Sequence, residues 1–481
     1  MNLLKAYKPY LFFSLLLLTF NSCLKLVMPS NPKPEEEEKR YLYPFSNEVN
    51  NIIANIYIDI NEDVDLNQPE FNDIITEIPH LKYNKTWLLL ISQDDTRQDS
   101  FSSTFAAIHG RPVPAEKYYY DIEHLEKNDL PPDTLSFGKT LGHTDGAGNE
   151  VRFSFLITVQ PQEEWMGVKP NVNPGFTGNF NRFLMKSGLT YNNVKEMMNY
   201  GVGIAFHDVK TLNVNNKDSV CKHIEISQSI ILDSLLGRGC KTLAEPNGNK
   251  VYIDAARMLP FIHVITAQQG VLRIHPFQID NDLYQVALGR WFHTESTFRV
   301  FVENQLIKPK EQREAVSLGV HGTRIPWANN LLWLNDTYGK DGDDSMWAPN
   351  IEEYYEYNYY RVHGKTDVKR TGRRLHLEIN LPAAEYFYYP SVTVNVKGIK
   401  MADIASITSG DEVKGMSYAD YDGGVMVNID CRKYLLEHAT HYVEKYEKSK
   451  LKHLKSDAIY FVNMLKDSPA KKALQSRLGQ S

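Results

Sequence analysis

Two adjacent carboxylates directly follow the first strongly apolar segment in the body of the chain. Residues 86–92 (TWLLLIS) form a short apolar run between polar residues, which predicts a buried strand, and Asp94 and Asp95 come just after it. Neighbouring side chains of an extended chain point to opposite sides, so one aspartate could bind a cation while the other turns toward a water molecule. Metal-assisted hydrolysis needs that division between a Lewis acid and a base. A loop capped by the two aspartates is the simpler alternative.

A histidine stands at the end of a second predicted strand. Residues 202–206 (VGIAF) are apolar, and His207 and Asp208 follow them. A histidine that emerges from an apolar strand beside a carboxylate can be a metal ligand, although a packed structural histidine is the alternative. Because chemistry in parallel α/β folds lies at the carboxyl ends of the strands, we expect His207 to lie near the two aspartates.

The elements that would position these residues alternate between strands and helices. Alternation of this kind indicates an α/β fold with a parallel sheet or a (β/α) barrel, which we place at residues 46–365. Apolar runs predict further strands at residues 151–159, 241–245, 262–267 and 271–274, and apolar residues at helical spacing predict helices at 190–200, 218–236 and 349–361.

The character of the sequence changes after Gly364. Residues 374–381, 391–396 and 424–429 alternate or run apolar between turn signals, which predicts a small antiparallel β domain over residues 366–430. Residues 431–481 are rich in lysine and predict a helical tail. The apolar stripe of that tail would be formed by Leu451, Leu454, Ile459, Tyr460, Met464 and Leu465.

The first 45 residues predict a targeting signal followed by a flexible tether. Residues 1–22 carry two lysines before an apolar run that is short for a membrane span, and Cys23 follows, as in a bacterial lipoprotein signal whose cysteine becomes acylated. An ordinary secretory signal is the alternative. Residues 24–45 contain prolines and four consecutive glutamates, which predict a tether. We therefore expect a lipid-anchored protein of the cell envelope, with the outer membrane as the expected location.

Composition excludes several classes of protein. The 481 residues are 42% hydrophobic and carry a net charge of -6 without a long basic patch, which indicates a globular chain of more than one domain and disfavours nucleic acid as a partner. Four cysteines are too few for a disulfide framework. Cys221 and Cys240 could pair outside the cytoplasm, and Cys431 would then stay single.

The order of these features resembles the polysaccharide deacetylases (NodB homology, carbohydrate esterase family 4), in particular divergent lipoproteins of the Bacteroidetes type. That family opens with a strand ending in T-F-D-D-G, which residues 92–96 (SQDDT) match in part, and its H-[ST]-x-x-H motif follows a helix, a glycine and a strand, as His207 does here. Its Arg-Pro-Pro-Tyr-Gly-like loop falls at residues 245–248 (EPNG), and residues 347–349 (WAP) with the helix after them resemble its last strand and helix. The resemblance covers about residues 85–362.

The resemblance implies a distorted seven-stranded barrel and a set of site residues. It assigns Asp94 as catalytic base, Asp95 and His207 as metal ligands, and His321 as general acid, with Pro246, Asn247, Gly248 and Trp347 in loops near the site. Two departures from the family pattern bear on the site: Thr211 stands where the second histidine ligand would fall, and Thr96 replaces a glycine. Hydrolytic zinc sites usually have three protein ligands, so His143 or Asp145, in the glycine-rich loop 141–148, could supply the missing one. A plain hairpin turn is the alternative for that loop.

The activity implied is metal-dependent hydrolysis of acetyl groups on a polysaccharide or glycan, with zinc, or nickel or cobalt, as the cofactor. Such an enzyme acts on C–N bonds other than peptide bonds, or on carboxylic esters. A deacetylase-like scaffold that binds glycan without hydrolysing it is a second hypothesis, supported by the departure at Thr211. A glycoside hydrolase that uses acidic pairs from different strands is a third, with Asp343, Asp344, Glu352 and Glu353 as candidates. The sequence leaves the oligomeric state open.

Overall fold

The computed structural model describes residues 49, 51–67, 71, 73–114, 134–167, 188–208 and 215–480, all within the compact unit Arg40–Ser481. The predicted signal at residues 1–22, Cys23, the tether and Thr211 lie outside the described residues. Within the described part of the chain, no helix is both long enough and apolar enough to cross a membrane.

Strands and helices are numbered in chain order. The strands are β1 (Ile52–Ile60), β2 (Ile75–Glu77), β3 (Trp87–Gln93), β4 (Val113–Pro114), β5 (Thr134–Leu135), β6 (Gly142–Thr144), β7 (Glu150–Arg152), β8 (Leu156–Val159), β9 (Gly203–Phe206), β10 (Thr242–Ala244), β11 (Val264–Ala267), β12 (Ala287–Gly289), β13 (Trp291–Phe292), β14 (Val316–Val320), β15 (Met346–Trp347), β16 (Lys365–Thr371), β17 (Arg374–Leu381), β18 (Ser391–Lys397), β19 (Ile404–Ser409), β20 (Gly415–Tyr421) and β21 (Gly424–Asp430). The α-helices are α1 (Ala106–Ile108), α2 (Tyr191–Met198), α3 (Lys217–Ser234), α4 (Val251–Ala256), α5 (Glu295–Leu306), α6 (Ile325–Tyr338), α7 (Ile351–His363), α8 (Leu435–Ser449), α9 (Lys452–Asn463) and α10 (Pro469–Arg477).

A parallel sheet that nearly closes into a barrel forms the centre of the fold. Its strands follow the order β12-β11-β10-β9-β8-β3-β14-β13, with β15 paired to the start of β3. The two ends of this path, β12 and β13, are separated in the chain by Arg290 alone, so one bent segment pairs with β11 on one side and with β14 on the other. The prediction of a (β/α) barrel is therefore confirmed in its parallel, nearly closed sheet. The strand count differs from the predicted seven, because Arg290 divides residues 287–292 into two short strands and β15 adds another.

Alternating side chains divide each barrel strand between an inner and an outer face. The outward residues, such as Leu89 and Ile91, share an apolar cluster with the surrounding helices. The inward residues form a second cluster that includes Leu90, Leu156, Ala205, Ala244 and Leu288. Two residues further toward the carboxyl end, the inward position is polar in four of these strands, where it holds Ser92, Thr158, His207 and Arg290. That end is called the barrel mouth below.

Helix α7 is tied to the opposite end of the barrel by buried ion pairs. Glu352 accepts from Arg238 at 2.8 Å and from the Thr242 hydroxyl at 3.2 Å, and Glu356 pairs with Lys241. Both glutamates are fully buried. Because Arg238 and Lys241 precede β10, α7 lies at the amino ends of the strands, and Glu352 does not take part in a site at the mouth.

Two four-stranded antiparallel sheets stand beside the barrel, in the orders β16-β17-β1-β19 and β2-β18-β21-β20. Buried residues of both sheets join one apolar cluster, so the two sheets pack together. Residues 365–430 supply six of these strands, so the sheets differ from the predicted small β domain made by residues 366–430 alone. The other two, β1 and β2, precede the barrel in the chain. Strict alternation in residues 52–60 (IIANIYIDI) is the pattern of a half-buried strand, and its inward residues pack in the same cluster.

The C-terminal tail forms helices α8, α9 and α10, and a buried charge cluster attaches α9 to β7 and to the segments after α1 and α2. Asp457 pairs with Arg152, accepts from the Tyr200 hydroxyl at 2.9 Å and lies 3.7 Å from Arg111. Burial would raise the pKa of Asp457, but the charges of Arg152 and Arg111 outweigh it and lower that pKa. Of the predicted stripe, Leu454, Tyr460 and Leu465 are buried, and Leu451 is exposed.

The described cysteines are free and buried. Cys221 contacts the carbonyl of Ala255, and Cys240 contacts the carbonyl of Ile204. The pairing of Cys221 with Cys240 that the sequence allowed is therefore not formed.

Replacement of Asp457 tests this attachment. Asp457→Asn removes the nearer of two acidic partners of the buried Arg152 and leaves only Glu150 at 3.5 Å, and we expect a loss of about 3 kcal/mol in the free energy of unfolding, measured by urea denaturation. The matched control is Asp467→Asn, since Asp467 is 83% exposed and pairs only across one turn with Lys471. Its loss should stay below about 1 kcal/mol. Equal losses in the two variants would show that the buried cluster does not stabilise the tail.

Candidate active site

An ion pair between Asp94 and Arg290 lies buried in the barrel mouth. Arg290 Nη1 is 2.5 Å from Asp94 Oδ1 and 2.7 Å from Oδ2, and both side chains are 1% exposed. The same nitrogen donates to the Ser92 hydroxyl at 3.0 Å, and Arg290 Nη2 donates to the Glu245 carbonyl at 2.7 Å. These contacts fix the Asp94 carboxylate in one orientation.

The backbone reverses immediately after Asp94. Asp95 and Thr96 have φ angles of +64° and +50°, a left-handed conformation that favours glycine. Two such non-glycine residues in succession store strain on the order of 1 kcal/mol each. Thr96 stands where the T-F-D-D-G motif, which residues 92–96 resemble, has glycine. The turn therefore forms here without a glycine and carries the backbone strain. The turn leaves the Asp95 side chain 36% exposed at the mouth.

His207 lies beside both aspartates. Its Nδ1 is 2.8 Å from the Ala244 carbonyl, and its Nε2 is 3.7 Å from Asp95 Oδ1 and 4.0 Å from Asp94 Oδ2. At these distances the contacts are charge interactions rather than close hydrogen bonds. Burial alone would lower the pKa of His207, but the contact with Asp95 and the charge of Asp94 outweigh it and raise that pKa.

Asp95 is held in its ionised form. The contact with His207 is the main cause that holds the pKa of Asp95 well below its usual range, and Arg97 and the charge of His321 add to it. Arg97 Nη2 lies 2.7 Å from Asp95 Oδ2. One oxygen of Asp95 therefore faces His207 and the other is covered by Arg97.

His321 follows β14 at the rim of the mouth and is exposed. Its ring stacks on Phe292 with the centroids 4.8 Å apart. Phe292 in turn lies over Gly319, where a Cβ atom would come within 2.4 Å of the phenyl ring. The glycine therefore makes room for the aromatic pair, and the pair places an imidazole close enough to Asp95 to influence its pKa.

The structure does not bring His143 or Asp145 to the mouth. Both lie in the β6–β7 hairpin, where Thr144 N donates to Asp344 at 2.8 Å and Asp344 pairs with Lys85, just before β3. The hairpin thus lies at the amino end of β3, and Asp94 lies at its carboxyl end. The Asp145 carboxylate accepts hydrogen bonds from the backbone amides of Ala147 and Asn149 at 2.9 and 3.0 Å, so it stabilises the hairpin turn.

The four residues predicted to lie in loops near the site fall at opposite ends of the barrel. Pro246, Asn247 and Gly248 follow β10 directly after Glu245, whose carbonyl binds Arg290 at the mouth. Trp347 belongs to β15 and pairs with Leu88 at the start of β3, so it is a buried packing residue at the other end.

The sequence patterns did not single out Arg290, Arg97 or Phe292. The available signal for Arg290 was residues 286–292 (VALGRWF), an apolar run interrupted by one arginine, which reads as a strand with a charge at its bend.

A family model described as "putative polysaccharide deacetylase" matches residues 54–479. The chain belongs to this family. The matched region begins in β1 and ends after α10, so the family unit includes both antiparallel sheets and the C-terminal helices as well as the barrel. No curated protein matches the chain. Membership makes the chain deacetylase-like and makes a glycan its expected partner.

The deacetylase-like site offers two donors to a divalent metal ion. Zinc binds nitrogen and oxygen donors at about 2.1 Å, so Asp95 Oδ1 and His207 Nε2, 3.7 Å apart, can reach one ion. The bond from His207 Nδ1 to a backbone carbonyl is common in metal-ligating histidines. Asp94 is not counted as a donor, because both of its carboxylate oxygens contact Arg290. Among the residues that the structure describes, no group of three or more His, Cys, Asp or Glu is placed to hold a metal.

The proton affinity of His207 tests the contact with Asp95. In chelator-treated protein, Asp95→Asn removes the main group that raises the pKa of His207, so burial dominates and that pKa should fall, as measured by imidazole NMR titration. Since folding raises the pKa above 6.5, protonation of His207 stabilises the wild-type fold below that pH, and the contribution is lost as the pH rises through the raised value.

Asp208→Asn is the matched control for that titration. Asp208 neighbours His207 in the chain but is not among the main groups that raise its pKa. The control should move the titration less than Asp95→Asn does, and an equal or larger movement would contradict the assigned contact.

Proposed function

We propose that this protein is a metal-dependent hydrolase that removes acetyl groups from a polysaccharide or other glycan. The observation that carries the proposal is the buried Asp94, oriented by Arg290, next to the pair of Asp95 and His207 at the barrel mouth. A general base and side-chain donors for a metal ion are components that metal-assisted hydrolysis of an acetyl group uses.

Asp94 is proposed as the general base. Arg290 and Ser92 hold its carboxylate, and the carboxylate can accept a proton from a water molecule in the mouth. Orientation of this kind contributes because the reacting groups then start close to their reactive geometry.

Asp95 and His207 are proposed to hold the cofactor, zinc or else nickel or cobalt. When bound, such an ion polarises the acetyl carbonyl and favours the developing oxyanion. Arg97 must release Asp95 Oδ2 if both oxygens are to face the ion, because it now covers that oxygen at 2.7 Å.

His321 is proposed as the general acid that protonates the leaving amine or alcohol of the sugar. It lies at the exposed rim, where a long glycan can approach, and its ring is supported by Phe292. We further propose that acylation at Cys23 anchors the protein to the outer membrane, a proposal supported by the signal-like residues 1–22.

A scaffold that binds glycan without hydrolysis is the second candidate. It is favoured by the arginine already paired with Asp95 and by the presence of two metal donors where zinc sites usually have three.

Two substitutions separate base from ligand. We expect Asp94→Asn to lower acetate release by a factor of about 10² to 10⁴ while stoichiometric metal is retained. Asp95→Ala should lose both metal and activity. Asp233→Asn, on the exposed face of α3, is the control and should change neither.

Acetate release and metal content of the purified proteins distinguish the hydrolase from the glycan-binding scaffold. Full metal content in Asp95→Ala would contradict the ligand assignment. A wild-type protein that carries no metal and binds glycan without releasing acetate would establish the scaffold instead.

A further inference from the structure

A buried polar cluster joins the loop after β3 to the loop after β14, behind the barrel mouth. It consists of Gln93, Asp99, Thr104 and Thr323, each at most 4% exposed, and is called the loop clamp here. Residues 94–98 lead from β3 into Asp99, and His321 and Gly322 lead from β14 into Thr323. The clamp therefore connects the loop of the proposed base with the loop of the proposed acid.

Asp99 is the acceptor at the centre of the loop clamp. Gln93 Nε2 donates to Asp99 Oδ1 at 2.9 Å, and the Thr323 amide donates to Asp99 Oδ2 at 2.8 Å. The Thr323 hydroxyl donates to the Asp99 carbonyl at 3.2 Å. Both carboxylate oxygens are thus occupied by donors, one of them from the backbone of the other loop.

The loop clamp holds the backbone on both sides of the His321–Gly322 turn. Gln93 Nε2 also donates to the His321 carbonyl at 3.2 Å, and two residues later the Thr323 amide is bound by Asp99. The Thr104 hydroxyl donates to Gln93 Oε1 at 2.7 Å and receives Trp327 Nε1 at 3.2 Å, which fixes the carboxamide of Gln93 in turn. Movement of the turn would break these contacts.

A carboxylate is a costly residue for this position. Burial is the main cause that raises the pKa of Asp99 to about 6, opposed by the Thr323 amide, the charges of Arg97 and Arg324, and Gln93. Because folding raises this pKa, protonation of Asp99 stabilises the fold below pH 3.8, and that contribution is lost as the pH rises through about 6. At neutral pH the ionised group costs stability, which an uncharged residue of the same shape would avoid.

We propose that Asp99 is a positioning residue that fixes His321 over the barrel mouth through the amide of Thr323. The proposal rests on the proposed function, in which His321 protonates the leaving group. Gln93 Nε2 and the Thr323 amide both donate to Asp99, so the side chain must accept a hydrogen bond at each of its two terminal atoms, as an ionised carboxylate does. A protonated acid or an asparagine presents a donor to one of them, so the clamp loses a bond while the fold is relieved of a buried charge.

Asp99→Asn tests the proposal, with Asp422→Asn, in the exposed β20–β21 turn, as the control. We expect kcat for acetate release to fall about tenfold or more with KM within about twofold of wild type, because a small displacement of a reacting group affects turnover more than binding. Thermal stability at pH 8 should equal or exceed that of the wild type. A loss of packing alone would instead lower the stability.

Hydrogen exchange of residues 318–327, followed by mass spectrometry, gives a readout that does not depend on activity. Protonation of Asp99 weakens its bond to the Thr323 amide while the side chain stays buried, so local protection of this segment in the wild type should fall as the pH drops below about 6. In Asp99→Asn it should be low at every pH, and in Asp422→Asn it should match the wild type.

The outcomes separate this proposal from the proposed function. If the wild type releases no acetate, the proposed function fails, and exchange still reports whether Asp99 holds the turn. Wild-type protection of residues 318–327 in Asp99→Asn, or unchanged kcat in an active protein, would overturn the positioning role.

Discussion

The ion pair of Asp94 and Arg290 is the interaction on which the barrel mouth depends. Arg290 stands at the bend between β12 and β13, where one segment of chain leaves β11 and joins β14. Its guanidinium reaches the end of β3 through Asp94 and the end of β10 through the Glu245 carbonyl. Strand ends that are distant in sequence therefore share one buried charge pair. Such a pair is costly to break, by about 3–5 kcal/mol, because the remaining charge is left buried.

The rest of the chain supports the barrel from the side and from the opposite end. Helix α7 contributes Glu352 and Glu356 to buried pairs at the amino ends of the strands. The two antiparallel sheets and helix α9 add apolar packing and a further buried charge cluster around Asp457. In barrels of parallel strands the amino end serves stability and the carboxyl end serves chemistry, and this chain follows that division.

Much of the mouth could be predicted because strand ends are visible in the sequence. Asp94, Asp95 and His207 each follow an apolar run that predicts a strand, and the carboxyl ends of parallel strands meet at one end of a barrel. His321 was assigned from the family resemblance alone. Arg290 was missed because its strand is short and divided. The same rule would have excluded His143, since its loop precedes a strand. Strand β1 pairs with β17, more than 300 residues away, and no local pattern indicates a partner at that distance.

The role of Arg290 at the barrel mouth is tested most directly by the acetate that metal-loaded wild type and Arg290→Lys release from an N-acetylated and an O-acetylated oligosaccharide. Lysine keeps the charge beside Asp94 but lacks the planar group that bonds Asp94, Ser92 and the Glu245 carbonyl together. We expect the wild type to release acetate and the variant to do so at least about 10²-fold more slowly with unchanged metal content. Equal rates for the two proteins would contradict this role of Arg290.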